Sequence, residues 1–242
     1  MAATTKTVLI TGSTRGIGLA FAEFYVNAGW NVIGTARANS NTDKLAALSP
    51  FKIITLDAGD EATVLEAARQ LEGVPIDLLI NNAGVGLYSS FETVAKDVIM
   101  KSIEVNAVGP FLVTRAFVPN LKLAAKAESP ATVLQISSIL GSIASNKDEY
   151  AQLFRGQYGY TTSKDTLNMI TRSLAMDLRE SNVTVVTINP GYVSTDMSNH
   201  QGVIQPADSV KAMADMVAKL SLEDSGKFLN ADPAIPSTEL PW

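Results

Sequence analysis

Tyr160 and Lys164 stand four residues apart in Y-T-T-S-K, a spacing that places both side chains on one face of a helix, within reach of a common ligand. Of the six tyrosines, only Tyr160 has a lysine four residues on. A free phenol titrates near pH 10, so bringing it to about 7 requires a preference for the phenolate of roughly 4 kcal/mol. One cation about 4 Å away, at an effective dielectric near 20, supplies about that much. Lys164 can therefore largely activate Tyr160 by lowering the phenol's pKa toward neutrality. Ser137 and Ser138 follow an apolar, β-rich run, and a hydroxyl at such a strand end can bond a carbonyl oxygen and stabilise the alkoxide that forms as hydride arrives. One of the two reads equally well as a cap or turn serine.

A second constellation lies near the start of the chain. In TGSTRGIG, residues 11–18, Gly12, Gly16 and Gly18 allow a tight turn and a close approach of backbone to a pyrophosphate, with Ser13, Thr14, Arg15 and Ile17 completing the surface offered to it. In an NAD site an acidic side chain about 20 residues beyond the turn accepts hydrogen bonds from the ribose hydroxyls. Here no Asp or Glu occurs between Glu23 and Asp43. Arg37 follows the second β-rich run and Arg15 lies in the turn, so two guanidinium groups are available for an extra phosphate. NADP(H) is the expected cofactor. Asp57, followed by Ala58, either accepts the adenine amino group or caps its own loop.

These residues must be held by the elements around them. Short β-rich runs recur at 6–11, 31–36, 51–57, 77–83, 131–137 and 182–189, separated by helical patterns, with a seventh short strand expected around Lys227 to Asn230. Such alternation predicts an α/β chain of Rossmann type: a single domain with a doubly wound, mainly parallel seven-stranded sheet and helices on both faces. In the first helix Ile17, Phe21, Phe24, Tyr25 and Ala28 share a face, and Gly29 follows as a left-handed cap. Gly141 to Gly159 reads as a loop before a helix beginning near Tyr160, and Tyr192 to Pro206 as another loop.

The whole chain of 242 residues is 46% apolar, with a net charge of −5 and no cysteine. That excludes disulfides and thiolate chemistry, and offers no basic stripe for nucleic acid. No apolar run reaches the roughly 20 residues of a membrane span, and MAATTKT has no apolar signal core. A cytoplasmic protein without a membrane partner is expected. His200, the only histidine, reads as a surface loop residue, and no metal site is expected.

TGSTRGIG, Asp57, NNAG at 81–84, Asn106 in EVNAVGPF, ISS at 136–138, YTTSK at 160–164 and NPGYVSTDM at 189–197 together resemble the short-chain dehydrogenase/reductase family over essentially the whole chain. The resemblance implies an oxidoreductase passing hydride between nicotinamide and a small carbonyl or alcohol substrate, with Tyr160 as acid or base. It implies that Lys164 lowers the phenol's pKa and holds the nicotinamide ribose, that Ser138 rather than Ser137 polarises the carbonyl, and that Asn106 positions a water relaying protons to Lys164. Asn82, Ala83 and Gly84 would line the adenosine and ribose side, and Pro190, Gly191, Val193 and Thr195 the nicotinamide side. The long interval before Tyr160, ILGSIASN and the ending Pro241–Trp242 are similar to sniffer-type carbonyl reductases and C-factor-like proteins. The family implies either a homodimer or homotetramer, paired through helices beginning near Phe91 and Tyr160, or a monomer, as in members with a longer loop before the tyrosine; a catalytically silent nucleotide-binding regulator of the same fold is the alternative function.

Overall fold

The computed structural model describes residues 5–126 and 129–242, so the first four residues of MAATTKT lie outside the described residues. Strands β1 (Thr7–Ile10), β2 (Asn31–Ala36), β3 (Lys52–Thr55), β4 (Leu78–Asn81), β5 (Ala131–Ile136), β6 (Val183–Asn189) and β7 (Phe228–Asn230) form one sheet in the order β3-β2-β1-β4-β5-β6-β7. Every neighbouring pair is parallel, so the expected mainly parallel sheet is wholly so among these strands. The run at 31–36 coincides with β2; the other strands are one to three residues shorter than their runs, and the residues lost at the carboxyl ends of β1, β3, β4 and β5 form the turns that carry the site.

The helices are α1 (Gly16–Asn27), α2 (Asp43–Ala47), α3 (Glu61–Gln70), α4 (Lys96–Ile103), α5 (Gly109–Ala124), α6 (Ala151–Phe154), α7 (Tyr158–Asp177) and α8 (Pro206–Val217). Side chains alternate across a strand, so buried strands feed two cores. Leu9, Leu79, Val133 and Val185 pack with Val64, Phe117 and Leu174 of α3, α5 and α7. Their neighbours Ile10, Ile80, Leu134 and Val186 pack with Phe21, Leu45 and Met213 of α1, α2 and α8. Each such side chain contributes about 1.5–3 kcal/mol by burial.

Two local expectations need correction. On α1, Phe21 and Tyr25 are buried with Gly18 and Ala22, and Ile17 and Phe24 pack half-buried against the same core; only Ala28 departs from the expected face, lying exposed beyond the helix, while Gly29, at φ +78°, takes the expected left-handed cap. The segment before Tyr160 is not a bare loop. It holds 3-10 turns at Ile139–Gly141 and Asp148–Tyr150 and the single turn α6, anchored by buried Phe154, and α7 starts at Tyr158. One helical turn is too short to show a period. Among the described residues no helix is long and apolar enough to cross a membrane.

Strand order reverses between β1 and β4, and ligands of open parallel sheets bind in the crevice at the carboxyl ends beside such a reversal. The turns after all of β1 to β6 carry the residues singled out above.

Candidate active site

The glycine turn links β1 to α1. Gly12 and Gly16 adopt φ of +65° and +54°, and a Cβ on Gly12 would stand 3.0 Å from the Ala83 Cα. Arg15, the residue before α1, makes no side-chain cap, and the first turn of α1 holds no acid. The amides that open α1 are therefore left for an anion. Ser13 lies beneath this surface: it is fully buried, and its amide and hydroxyl both donate to the Thr35 carbonyl, at 3.1 Å each. Its contribution is to fasten the turn to β2. Asn82 does the same from the other side, donating through Nδ2 to the carbonyls of Thr11 (2.9 Å) and Gly12 (3.1 Å). The Ala83 amide donates to Thr11 Oγ1, and Gly84 lies beside the Asn106 carboxamide.

At the adenosine end, Arg37 follows β2 as an exposed side chain with no hydrogen bond or ion pair from its guanidinium among the described residues. Asp57 Oδ1 accepts from the Gly59 amide at 2.9 Å, so it does cap its own loop. Ala58 is buried with its carbonyl tight against Gly109. Arg15 is already engaged: its Nε lies 3.5 Å from Asp196 in the loop after β6, and Asp196 also meets His200 at 3.1 Å. In the same loop Thr195 packs over Gly16, buried Val193 bridges to Ile204, the Pro190 carbonyl accepts from Ser209, and Gly191 turns the chain at φ +82°.

The side chains expected to be catalytic converge between β4, β5 and α7. Lys164 is 6% exposed, its Nζ donates to the Ile136 carbonyl at 2.7 Å, and it lies 5.6 Å from the centre of the Tyr160 ring. Ser137 Oγ donates to Asn168 Oδ1 at 2.8 Å on the buried side of α7. Ser138 Oγ instead accepts from the Leu140 amide at 3.2 Å, and its hydroxyl is close enough to the Tyr160 phenol to hold the phenol's pKa down. The two serines, indistinguishable by spacing, are thus sorted by their partners.

Asn106 is almost wholly buried in a π-helical turn, Glu104–Val108, that joins α4 to α5. Its Oδ1 accepts from the Val85 amide (2.8 Å), and its Nδ2 donates to the Val85 carbonyl (2.9 Å) and to Ser163 Oγ (3.0 Å). Both side-chain donors are spent on holding the β4–α4 loop to α7. The backbone carbonyl is a further acceptor at this residue, and here the sequence carries its own signal. In a regular helix that carbonyl would accept from residue 110, which is proline and has no N–H.

The electrostatics differ from the expectation of a phenol lowered by Lys164. Burial pushes Tyr160 up to about 12, Tyr88 adds to the rise, and only the bond to Ser138 opposes it. Burial also brings Lys164 down to about 8. The ammonium points at a carbonyl, not at the phenol oxygen. Over this centre Tyr88 donates to the Met197 carbonyl at 3.2 Å, joining the β4–α4 loop to the loop after β6, a contact invisible to sequence spacing. The Tyr158 and Phe91 rings lie with centres 6.0 Å apart and planes tilted by 50°, both exposed.

Residues 6–203 match the sequence pattern of the family described as short chain dehydrogenase. C-signal of Myxococcus xanthus is 37% identical over 169 residues, which cover 69% of this chain and 93% of that protein. Among solved structures, the NADPH-bound carbonyl reductase from chicken fatty liver is 32% identical with a TM-score of 0.87, covering 98% of this chain and 99% of that one. The carbonyl reductase Sniffer of D. melanogaster is 30% identical with a TM-score of 0.88, covering 98% and 100%. These likenesses agree with the resemblance to sniffer-type and C-factor-like proteins, and the chain belongs to the short-chain dehydrogenase/reductase family.

Proposed function

We propose that this protein is an NADP(H)-dependent reductase of aldehydes or ketones, with Tyr160 as the proton donor. The observation that carries this reading is the convergence of Ser138, Tyr160 and Lys164 beside a glycine turn built for a dinucleotide. The residues present fit the cofactor: positive-φ glycines and uncapped amides at α1 suit the pyrophosphate, and Arg37 is free for an extra phosphate where an NAD site would place an acid. The NADPH bound by the chicken carbonyl reductase supports the same choice. When bound, the nicotinamide supplies the hydride.

Ser138 donates a hydrogen bond to the substrate carbonyl, drawing charge toward its oxygen. Tyr160 delivers the proton to that oxygen as the alkoxide forms. A phenol pushed up to about 12 keeps its proton at neutral pH, which suits the reducing direction. Lys164 would hold the ribose hydroxyls of the bound cofactor and, through a water at the Asn106 carbonyl, which Pro110 cannot donate to, would return a proton to Tyr160.

Tyr160→Phe is expected to abolish NADPH oxidation with every member of a panel of aldehydes, ketones and diketones while leaving the Kd for NADPH within about twofold. Retention of most of kcat would move the acid role to another residue. Arg37→Asp is expected to weaken NADPH about ten- to hundredfold and leave NADH unchanged or tighter, because a charge-assisted bond contributes about 1.5–3 kcal/mol. Equal losses for both cofactors would show that Arg37 does not read the phosphate.

A further inference from the structure

Asn189 and Asn230 face each other across β6 and β7 at their carboxyl ends, 2% and 6% exposed. Buried carboxamides must spend their donors and acceptors within the protein. Asn189 Nδ2 donates to Asn230 Oδ1 at 2.8 Å, and Asn189 Oδ1 accepts from the Ile139 amide at 3.1 Å. Ile139 is the residue after Ser138. It opens the 3-10 turn whose second amide, that of Leu140, is the one Ser138 Oγ accepts from. A carboxamide on β6 therefore holds the backbone that aims the Ser138 hydroxyl.

Asn230 extends the same chain of bonds outward. Its Nδ2 donates to the carbonyls of Asp232 (3.1 Å), Ile235 (3.2 Å) and Ser237 (2.8 Å), folding residues 231–237 into a turn. The chain then returns beside β7, with the Asn230 amide bonded to the Thr238 carbonyl at 3.0 Å and the Leu240 amide to the Phe228 carbonyl at 2.7 Å. Pro241 accepts from Ser142 Oγ at 2.7 Å, and the Trp242 carbonyl accepts from the Ala144 amide at 3.0 Å. The segment from Ile139 to Ala144 is thus pinned at its start by Asn189 and at its end by the tail that Asn230 folds.

We propose that Asn189 and Asn230 are positioning residues for proton transfer, fixing the Ser138 hydroxyl against Tyr160 through the Ile139 amide. This rests on the roles given above to Ser138 and Tyr160. Misplacement of a catalytic group by about 1 Å costs on the order of a hundredfold in rate, so a turn left without its acceptor matters. The bond from Ser138 is what opposes the upward push of burial and Tyr88 on the phenol. Loosening it lets the phenol titrate higher. The groups facing Tyr160 are Lys164 on its own helix, Ser138 after β5 and Tyr88 after β4, and neither asparagine adds a charge to them.

The test is a double-mutant cycle on the best substrate of the carbonyl panel and its alcohol, recording kcat, the pH profile of alcohol oxidation and the Kd for NADPH. Asn189→Ala is expected to lower kcat about ten- to hundredfold, to move the phenol limb to higher pH in the same direction as Ser138→Ala, and to leave the Kd within about twofold. Adding Asn189→Ala to Ser138→Ala should cost little more, because the asparagine acts through that serine. Additive losses, or an unmoved pH limb, would overturn the proposal. If Asn189→Ala does not fold, as judged by circular dichroism, the same cycle with Asn230→Ala decides by the same criteria, with a smaller expected drop because Asn189 keeps its bond to Ile139. An unchanged kcat in Ser138→Ala would instead sink the assignment of Ser138, an outcome separate from failure of the cycle.

Discussion

Lys164 carries opposing demands at a single position. The charge that serves a bound ribose and the proton relay is one the fold must desolvate, and burial lowers its pKa from 10.5 to about 8. The unfolded chain binds that proton more tightly than the folded one between those values, so the cost is full below about pH 8, shrinks as pH rises toward 10.5 and vanishes above it. The shift corresponds to about 3 kcal/mol. Lys164→Met is therefore expected to raise the stability of the cofactor-free protein at pH 7 by about 1–2 kcal/mol, part of the gain being offset by the donor lost to the Ile136 carbonyl. The gain should fade in denaturant melts taken above pH 8. A variant less stable than wild type at pH 7 would show that the ammonium stabilises its site without ligand. Tyr160 and Lys164 were legible as a pair because helical spacing is local. The choice of Ser138 over Ser137 was reached from the sequence only through family resemblance, since its physical basis, the Ser137 bond to Asn168, joins residues 31 apart.

At the scale of elements, strands were the most legible part, because period-two burial on both faces of a parallel sheet writes continuous apolar runs. The glycine turn was equally plain. What escaped were features made by contacts between loops: Arg15 meeting Asp196, Tyr88 meeting Met197, and the helical turns before Tyr160. The last of these lie beside the turn after Ser138, Phe154 and Leu140 lining one cleft, with Gly156 against the Ser89 carbonyl of the loop after β4. Excising Asp148–Tyr150 while retaining Phe154 is accordingly expected to reorder kcat/KM among carbonyl substrates and to leave the Kd for NADPH unchanged. A changed Kd with an unchanged substrate ranking would place this segment at the cofactor instead.

Over the whole molecule, stability and chemistry are separated to opposite ends of the sheet. The carboxyl ends hold the site, while the amino ends are closed by buried polar ties such as Asn120 of α5, whose Nδ2 donates to the carbonyls of Leu71 (2.6 Å) and Val74 (2.8 Å). Asn120→Ala strips both carbonyls of a donor and is expected to cost about 2–4 kcal/mol, or roughly 5–15 °C in Tm, with kcat and KM at 25 °C unchanged. A large change in kcat would mean that the two ends are coupled. The central claim concerns the carboxyl ends, and following the label from NADPH carrying deuterium at both C4 positions of the dihydronicotinamide into the carbonyl panel tests it most directly. Wild-type protein should place one deuterium on the carbinol carbon of the product, and Tyr160→Phe, still binding the cofactor, should place none. Tight NADPH binding with no transfer to any carbonyl by the wild type would contradict the account and leave a nucleotide-binding protein that does not turn over.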